Sequence, residues 1–370
     1  MEPCGGEKNM LETKLCGITL KNPLLPGSGP LTGNYEKMHY FVEQGIGGIV
    51  TKTIAPTPAE VIRPCIIGKR GMIMNCESWS EYSLKQWSEE FLPKLRHDCN
   101  TPVLASIGYN DRDAAAIIPC IDSFVDGYEL SFRYTYHDYD ETARMVGETK
   151  KLTDKPLFIK TNDTAFANPE KYARECYEAG VDGVVAGTSI GPTLEIDLKK
   201  RRAAIGTESG YVWTSGPVIK PQILALVHRI KQEVPQLSVI SSGGVATTED
   251  VVEFLLAGAD AVEMLSAAML NGRELYGKII KELPGVLEKY GFSSVEEVQK
   301  TGLTPIQVRT IPAYPEIQEE KCSGCGLCTD NCPYFALKLD KVPVMDKEKC
   351  FGCGLCESRC PVHAIHGVID

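Results

Sequence analysis

No stretch of the 370 residues approaches the roughly 18 consecutive apolar side chains that a membrane-spanning helix needs. The opening segment MEPCGGEKNMLETK lacks a basic region followed by an apolar one, so no secretory signal is expected and a cytoplasmic location is. Long runs of lysine or arginine are also missing, and the net charge is -10. That balance excludes nucleic acid and anionic membrane as the main partners. No G-x-G-x-x-G follows the first strand-like run, where GSGPLTG is only a loose substitute. A doubly wound nucleotide-binding sheet is weakened accordingly. Cysteine is thin over residues 1–321, with seven scattered thiols that read mostly as small buried hydrophobes rather than a disulfide framework.

What is present is an ordinary globular composition, 43% hydrophobic and 24% charged, long enough for one large core and a small accessory domain. From residue 15 to about 290, eight short apolar runs alternate with amphipathic stretches: NPLLPGSG, GGIVTKT, TPVLASI, VDGYEL, KPLFIKT, VDGVVAGT, LSVISSGG and DAVEMLSA. Each is apolar enough to be buried on both faces, as parallel strands are. Between them, Ile223, Leu226, Val227, Ile230 and Val234 make one helical stripe, and TTEDVVEFLLAGA carries a threonine cap, acids in its first turn and Gly258 after its end. Eight such units over about 280 residues predict an α/β fold, a (β/α)8 TIM barrel spanning 1–291. Segment 190–216 is too long for an ordinary connection and is expected to lie over the catalytic face. Residues 292–313, rich in proline and threonine, read as a linker, and 314–370 as a small bacterial-ferredoxin-like α+β domain.

Eight of the fifteen cysteines fall within 322–360, in an internal repeat: CSGCGLCTDNCP recurs as CFGCGLCESRCP. Three thiolates on a tight glycine-containing loop suit one iron–sulfur cubane, and the fourth cysteine of the run, before proline, reaches the other cluster. Cys322, Cys325, Cys328 and Cys360 are therefore expected on one [4Fe–4S] cluster, and Cys350, Cys353, Cys356 and Cys332 on the second. Two Cys4 zinc sites are the alternative. Two clusters imply one-electron traffic, which calls for a mediator able to pass two electrons to a substrate. A flavin fits. SSGGVATTED and LSAAML, after the seventh and eighth strands, offer Ser242, Gly243, Gly244, Ser266 and Ala267 for its phosphate, unless they are plain turns. Lys52 and Lys160 end buried strands and call for an anionic partner, such as the pyrimidine edge of a reduced flavin; frayed surface positions are the bland alternative.

In their order, GITLKNPLLPGSG, GGIVTKT, PLFIKT, VDGVVAGTS, SGPVIKPQILALV and SSGG…GADAVEMLSA resemble the barrel of the dihydroorotate and dihydropyrimidine dehydrogenase family, and the twin ferredoxin repeat extends the resemblance over nearly the whole chain. It implies an FMN barrel fused to a two-cluster domain. The implied FMN contacts are Ser28, Lys52, Thr53, Lys160, Thr188, Ser215, Gly216, Gly243, Gly244, Ser266 and Ala267, with Asn75 touching substrate. The resemblance also implies a homodimer, common among its members. The departures sit on the substrate side. Where the family continues its fourth strand as Glu-Leu-Asn-x-Ser-Cys-Pro, this chain has ELSFRYTY, so Ser131 stands for the asparagine, Arg133 for the serine and Tyr134 for the cysteine acid. An Asn-Thr pair after strand six becomes Thr188-Ser189.

Reducing a polarised C=C bond takes a hydride on one carbon and a proton on its neighbour. Tyr134 can supply that proton if a cation such as Arg133 stabilises its phenolate, and His137 is a second donor. Arg133 could instead clamp a carboxylate, or pair with Asp138 or Asp140, with the aromatics merely roofing the pocket. The expected function is an FMN and iron–sulfur oxidoreductase acting on an activated C=C bond of a small polar substrate. Its electrons would come from a ferredoxin or a separate FAD/NAD(P)H subunit, since no nicotinamide motif is evident. Alternatives are a dihydropyrimidine dehydrogenase proper, a reduced-flavin isomerase or lyase, and a non-catalytic electron-transfer subunit.

Overall fold

The computed structural model describes residues 9–78, 80–131, 139–161 and 163–369. Two compact units meet in sequence between Leu303 and Thr304.

In the first unit the eight apolar runs all become strands: β1 (Leu24–Pro26), β2 (Ile49–Val50), β3 (Val103–Ile107), β4 (Gly127–Leu130), β5 (Leu157–Lys160), β6 (Gly183–Ala186), β7 (Ser238–Ser242) and β8 (Ala261–Met264). They form one parallel sheet in the order β1-β8-β7-β6-β5-β4-β3-β2, a nearly closed barrel. At the seam between β1 and β2, Gly47 N–H donates to Leu24 O at 3.0 Å. Because side chains alternate along a strand, each strand serves two cores. Leu25, Val50, Leu104, Phe158, Val185, Ile240 and Ala261 fill the interior, closed at the N-terminal end by Leu15 and Leu20 of the hairpin Thr13–Leu15 and Ile18–Leu20. Their neighbours Leu24, Ile49, Val103, Leu157, Val184, Val239 and Val262 face the surrounding helices.

The helices follow their sequence signals. The stripe from Ile223 to Val234 is buried along helix Lys220–Glu233 and its end. Thr247 and Asp250 form a reciprocal cap on helix Thr248–Leu256. No helix among the described residues is long and apolar enough to cross a membrane.

Two excursions build a roof above the C-terminal ends of the strands. Strands Ile66–Lys69 and Met72–Asn75 follow β2; Ile190–Thr193 and Val212–Ser215 follow β6. They join in a four-stranded antiparallel sheet, with Asn75 opposite Trp213 and Ser215 opposite Ile73. The stretch read as the front of the linker differs from expectation. Helix Val295–Thr301 packs Val295 and Val298 into the barrel's outer core, and Gln299 donates to the carbonyls of Ala259 and Asp260. Its apolar spacing, two residues on one face of a two-turn helix, is too short a signal to outweigh the neighbouring Pro/Thr-rich composition.

The second unit is a pair of matching halves. Glu316–Ile317 pairs with Ile365–His366, Leu337–Leu339 with Pro343–Met345, and each half carries a one-turn helix, Leu327–Asp330 or Leu355–Ser358. Of the scattered thiols, Cys76 and Cys176 are buried, Cys16, Cys65 and Cys99 half-buried, and Cys120 exposed, a more mixed set than expected.

The interior layer fits only because Gly183 is bare. A Cβ there would lie 2.5 Å from Ser238 O and 2.7 Å from the Phe158 ring. Gly183→Ala is expected to destabilise by about 1–3 kcal/mol, and Phe158→Leu in the same chain should recover part of that loss, read from urea unfolding midpoints.

Candidate active site

Two residues beyond the apolar layer, the same inward face of every strand turns polar or bare. The ring reads Gly27, Lys52, Ser106, Glu129, Lys160, Gly187, Ser242 and Glu263 from β1 to β8. Polar groups this deep must satisfy one another, and they do so in one continuous row. Ser28 Oγ lies 3.1 Å from Thr53 Oγ1, which lies 2.9 Å from Ser106 Oγ. Ser106 donates to Glu129 Oε1 at 2.6 Å, Lys160 Nζ donates to Glu129 Oε2 at 3.0 Å, and the same ammonium stands 3.6 Å from Glu263 Oε2. Ser242 completes the row, donating to Glu263 Oε2 at 2.7 Å. A hydroxyl has one proton. Since Ser106 gives its own to Glu129, Thr53 donates to Ser106 and Ser28 to Thr53.

Glu263 is the exception in this row. It is 1% exposed and lines the cavity, yet its Oε1 has no hydrogen-bond partner among the described residues. Burial raises its carboxyl most; Lys160 and the Ser242 hydrogen bond oppose that, Glu129 adds to it, and the group is pushed up to about 7.

Lys52, 4% exposed, was expected to await an anion supplied by a flavin. It finds its anions in the protein, donating at 2.8 Å to both Glu77 and Glu81. Burial pulls the lysine down, but the two carboxylates outweigh it and hold the ammonium above its ordinary value. Lys160 likewise takes Glu129 and Glu263 as partners.

One cavity gathers Ser28, Lys52, Thr53, Lys160, Thr188, Ser215, Gly216, Gly243, Gly244 and Ser266 together with Asn75, Ser131 and Ser189. Ala267 alone does not line it; its methyl is buried in the outer core. Asn75 is held by a hydrogen bond to Trp213 O at 3.3 Å, and Ser215 and Ser266 hydroxyls meet at 2.8 Å. Gly243 and Gly244 have φ of 111° and 91°, and a Cβ on Gly244 would sit 2.5 Å from Lys220 Cα at the start of helix Lys220–Glu233. Bare backbone beside a helix start is a fitting cradle for a phosphate, and the floor below it supplies hydroxyl and ammonium donors already set in place by the buried acids. The residues present therefore fit FMN. Tyr134, His137 and Arg133 lie outside the described residues.

Sequence reasoning missed Glu129, Glu263, Ser106, Glu77 and Glu81, while Ser242, expected in the phosphate loop, lines the cavity and is bonded to Glu263. The signal for the first two was available: a lone glutamate at an inward position of an otherwise apolar buried strand.

In the small unit, Cys322, Cys325, Cys328 and Cys360 surround one cavity, and Cys332, Cys350, Cys353 and Cys356 another. Each loop turns on left-handed glycines, Gly324 and Gly326 or Gly352 and Gly354. Backbone N–H groups of Ala336 and Ala364 donate to Cys332 Sγ at 3.4 Å and Cys360 Sγ at 3.2 Å, equivalent bonds in the two halves.

A parallel barrel with a polar, phosphate-ready mouth, followed by a twin-loop thiol domain, defines a redox enzyme of the iron–sulfur flavoprotein class. Residues 10–287 match the family model for dihydroorotate dehydrogenase and 313–364 that for a 4Fe-4S dicluster domain. The chain belongs to the dihydroorotate dehydrogenase family, whose members are FMN-dependent oxidoreductases acting on CH–CH donors. It is 30% identical over 301 residues to the catalytic subunit of dihydroorotate dehydrogenase B (NAD(+)) of Methanothermobacter thermautotrophicus, covering 78% of this chain and 97% of the relative. The same subunit of Pyrococcus furiosus is 31% identical over 300 residues, with the same shares covered.

Lys160 is the cation between two buried carboxylates. Lys160→Met is expected to destabilise the flavin-free protein by about 3–5 kcal/mol, measured by denaturant unfolding. The loss should be larger at pH 8 than at pH 5. A buried carboxyl that holds its proton to about 7 when folded, against 4.5 ordinarily, loses stability as pH rises between those values.

Proposed function

We propose that the chain is an FMN and iron–sulfur oxidoreductase that reduces, or in reverse oxidises, an activated C=C bond of a small polar substrate, with electrons relayed through two [4Fe–4S] clusters. The observation that carries the redox reading is the sorting of eight thiols into two sets of four, each drawn from both halves of the small unit. The match of residues 313–364 to a 4Fe-4S dicluster domain favours cubanes over the zinc alternative.

Bound in the barrel mouth, FMN supplies hydride to, or accepts it from, one carbon of the reacting bond. In this reading Gly243, Gly244 and Ser266 hold the phosphate, Ser215 and Gly216 shape its approach, and Ser28, Thr53 and Lys160 face the ring from below. Ala267 contributes through its backbone. Asn75, Ser131, Thr188 and Ser189 orient the substrate. The proton for the neighbouring carbon is assigned to Tyr134, stabilised by Arg133, with His137 as second donor; all three assignments rest on sequence position. The relatives' designation as catalytic subunits supports a separate electron-exchanging partner, a ferredoxin or an FAD/NAD(P)H subunit.

The state of Lys52 narrows the substrate. Its ammonium is shared by Glu77 and Glu81, so that corner carries one positive and two negative charges. A substrate carboxylate would meet net repulsion there, which supports a substrate held by neutral hydrogen bonds rather than a dihydroorotate-like acid.

Anaerobically purified protein is expected to hold one FMN and about eight irons per chain, and NAD(P)H alone should leave the flavin oxidised. After photoreduction, uncharged unsaturated heterocycles should reoxidise the flavin faster than carboxylate-bearing ones; preference for the acids would sink the substrate reading. The double variant Glu77→Gln/Glu81→Gln should lower KM for a carboxylate-bearing acceptor by about tenfold, equivalent to about 1.4 kcal/mol. In the same assay Tyr134→Phe should slow turnover by about 100-fold or more, and unchanged turnover removes it as the proton donor.

A further inference from the structure

The roof hairpin that follows β2 pairs Ile66 with Asn75, and the next step of its ladder sets Cys65 opposite Cys76. Cys76 N–H donates to Cys65 O at 2.9 Å, so the pairing continues past the last strand residues. Side chains directly opposite in an antiparallel ladder share a face. That face also carries Ile67 and Met74, and both thiols pack with them against Ile205 and Val212. Cys76 Sγ leans across the ladder to 3.7 Å from the Cys65 carbonyl oxygen. Cys65 is half-buried and Cys76 is 8% exposed, so one thiol meets solvent and the other is shielded behind it. The alternate residues Ile66, Ile73, Asn75 and Glu77 line the cavity instead.

Cα atoms of a hydrogen-bonded antiparallel pair lie about 5.5 Å apart, inside the span that a disulfide bridges. Their Cβ atoms are about 5 Å apart, against about 3.8 Å in a relaxed disulfide, so bonding draws the hairpin base together by about 1 Å. A bond made under that load is readily reduced again. We propose that Cys65 and Cys76 are a reversible modification site, a dithiol that small-molecule disulfides such as glutathione disulfide oxidise to a cross-strand disulfide. The Cys65 thiolate attacks one sulfur of the oxidant and releases one thiol. Cys76 then attacks the Cys65 sulfur of the mixed disulfide and releases the second. Two electrons and two protons thus leave the pair, and one glutathione disulfide becomes two thiols. Burial raises both thiols above their ordinary value; Glu77 adds to this at Cys65, where Lys52 and Arg63 oppose it, and Cys65 adds to it at Cys76. Thiolate is therefore scarce at neutrality and exchange is slow there. Closing the base moves Asn75 and Glu77, which hold Trp213 O and Lys52 at the cavity wall.

The test is incubation of the anaerobic holoenzyme with glutathione disulfide at about pH 8.5, near the ordinary thiol value. Remaining thiols are then alkylated, and the denatured chain is digested with trypsin without reductant. Lys69 and Arg70 lie between the two cysteines, so trypsin cuts the hairpin and only a disulfide holds its halves together. Mass spectrometry is expected to find the Cys65 and Cys76 peptides joined, and excess reduced glutathione added before alkylation to separate them. Two separately alkylated peptides, or peptides carrying glutathione alone, overturn the proposal. A link that persists through the reduced glutathione overturns its reversibility. In Cys65→Ser, Cys76 is expected to be recovered alkylated or bound to glutathione. A Cys76 that joins another cysteine just as well in that variant overturns the pairing. Should Cys65→Ser fail to fold, Cys76→Ser, read at Cys65, makes the same comparison. Neither thiol lines the cavity, so these outcomes do not depend on whether the barrel binds FMN.

Discussion

The barrel mouth depends on Lys160. Its ammonium lies beside two buried carboxylates that would otherwise repel each other in a medium that screens poorly. Removing the cation would leave two uncompensated acids, on β4 and β8, facing each other across the floor; removing either acid would alter the row of hydroxyls that ends on it. The same inward face that builds an apolar core two residues lower cannot do so here, because the strand ends must be open to a ligand. Polar residues at this level are therefore tolerated only as a mutually satisfied set. Six strands contribute a charged or hydroxyl group to the ring, and glycine takes the remaining two positions, where a Cβ would stand 3.2 Å from Glu263 Oε2 at Gly27 and 2.1 Å from Ser242 O at Gly187.

Much of this was legible in the amino-acid sequence, for a physical reason. Parallel strands buried on both faces must be apolar runs, so all eight could be picked out, and the cysteine spacing constrains its own geometry. The roof was only half legible. The length of 190–216 placed it over the strands, but nothing local says that Val212–Ser215 pairs with Met72–Asn75, more than a hundred residues earlier. The acids of the floor were hidden for a different reason. In VDGYEL and DAVEMLSA a single glutamate reads as an interruption of the apolar run, and only strand alternation shows that Glu129 and Glu263 share the inward face with Lys160. Glu77 and Glu81 carry no spacing signal toward Lys52, because a loop, not a strand or helix, brings them to it.

The chain keeps its family's barrel frame, and its cavity joins bare backbone to paired charges. Residues on the cradle side, Gly243, Gly244, Ser215 and Ser266, all reach the cavity. Elsewhere in it, Lys52 is held by Glu77 and Glu81, and Ser131 follows directly on the fourth strand. Backbone approach to a phosphate constrains a loop to glycine, whereas recognition of a small molecule can be rewritten one side chain at a time.

The thiol domain carries a consequence for how the protein is made. The set that opens first along the chain, at Cys322, is completed only when synthesis reaches Cys360. The set that opens later, at Cys332, is already complete at Cys356. The two sites are nested rather than consecutive, so the earlier loop must wait, with three of its four thiols in hand, until the later one has been closed. A chain interrupted between the repeats would own neither site. Completion of either four-thiol set is thereby tied to finished synthesis of both halves.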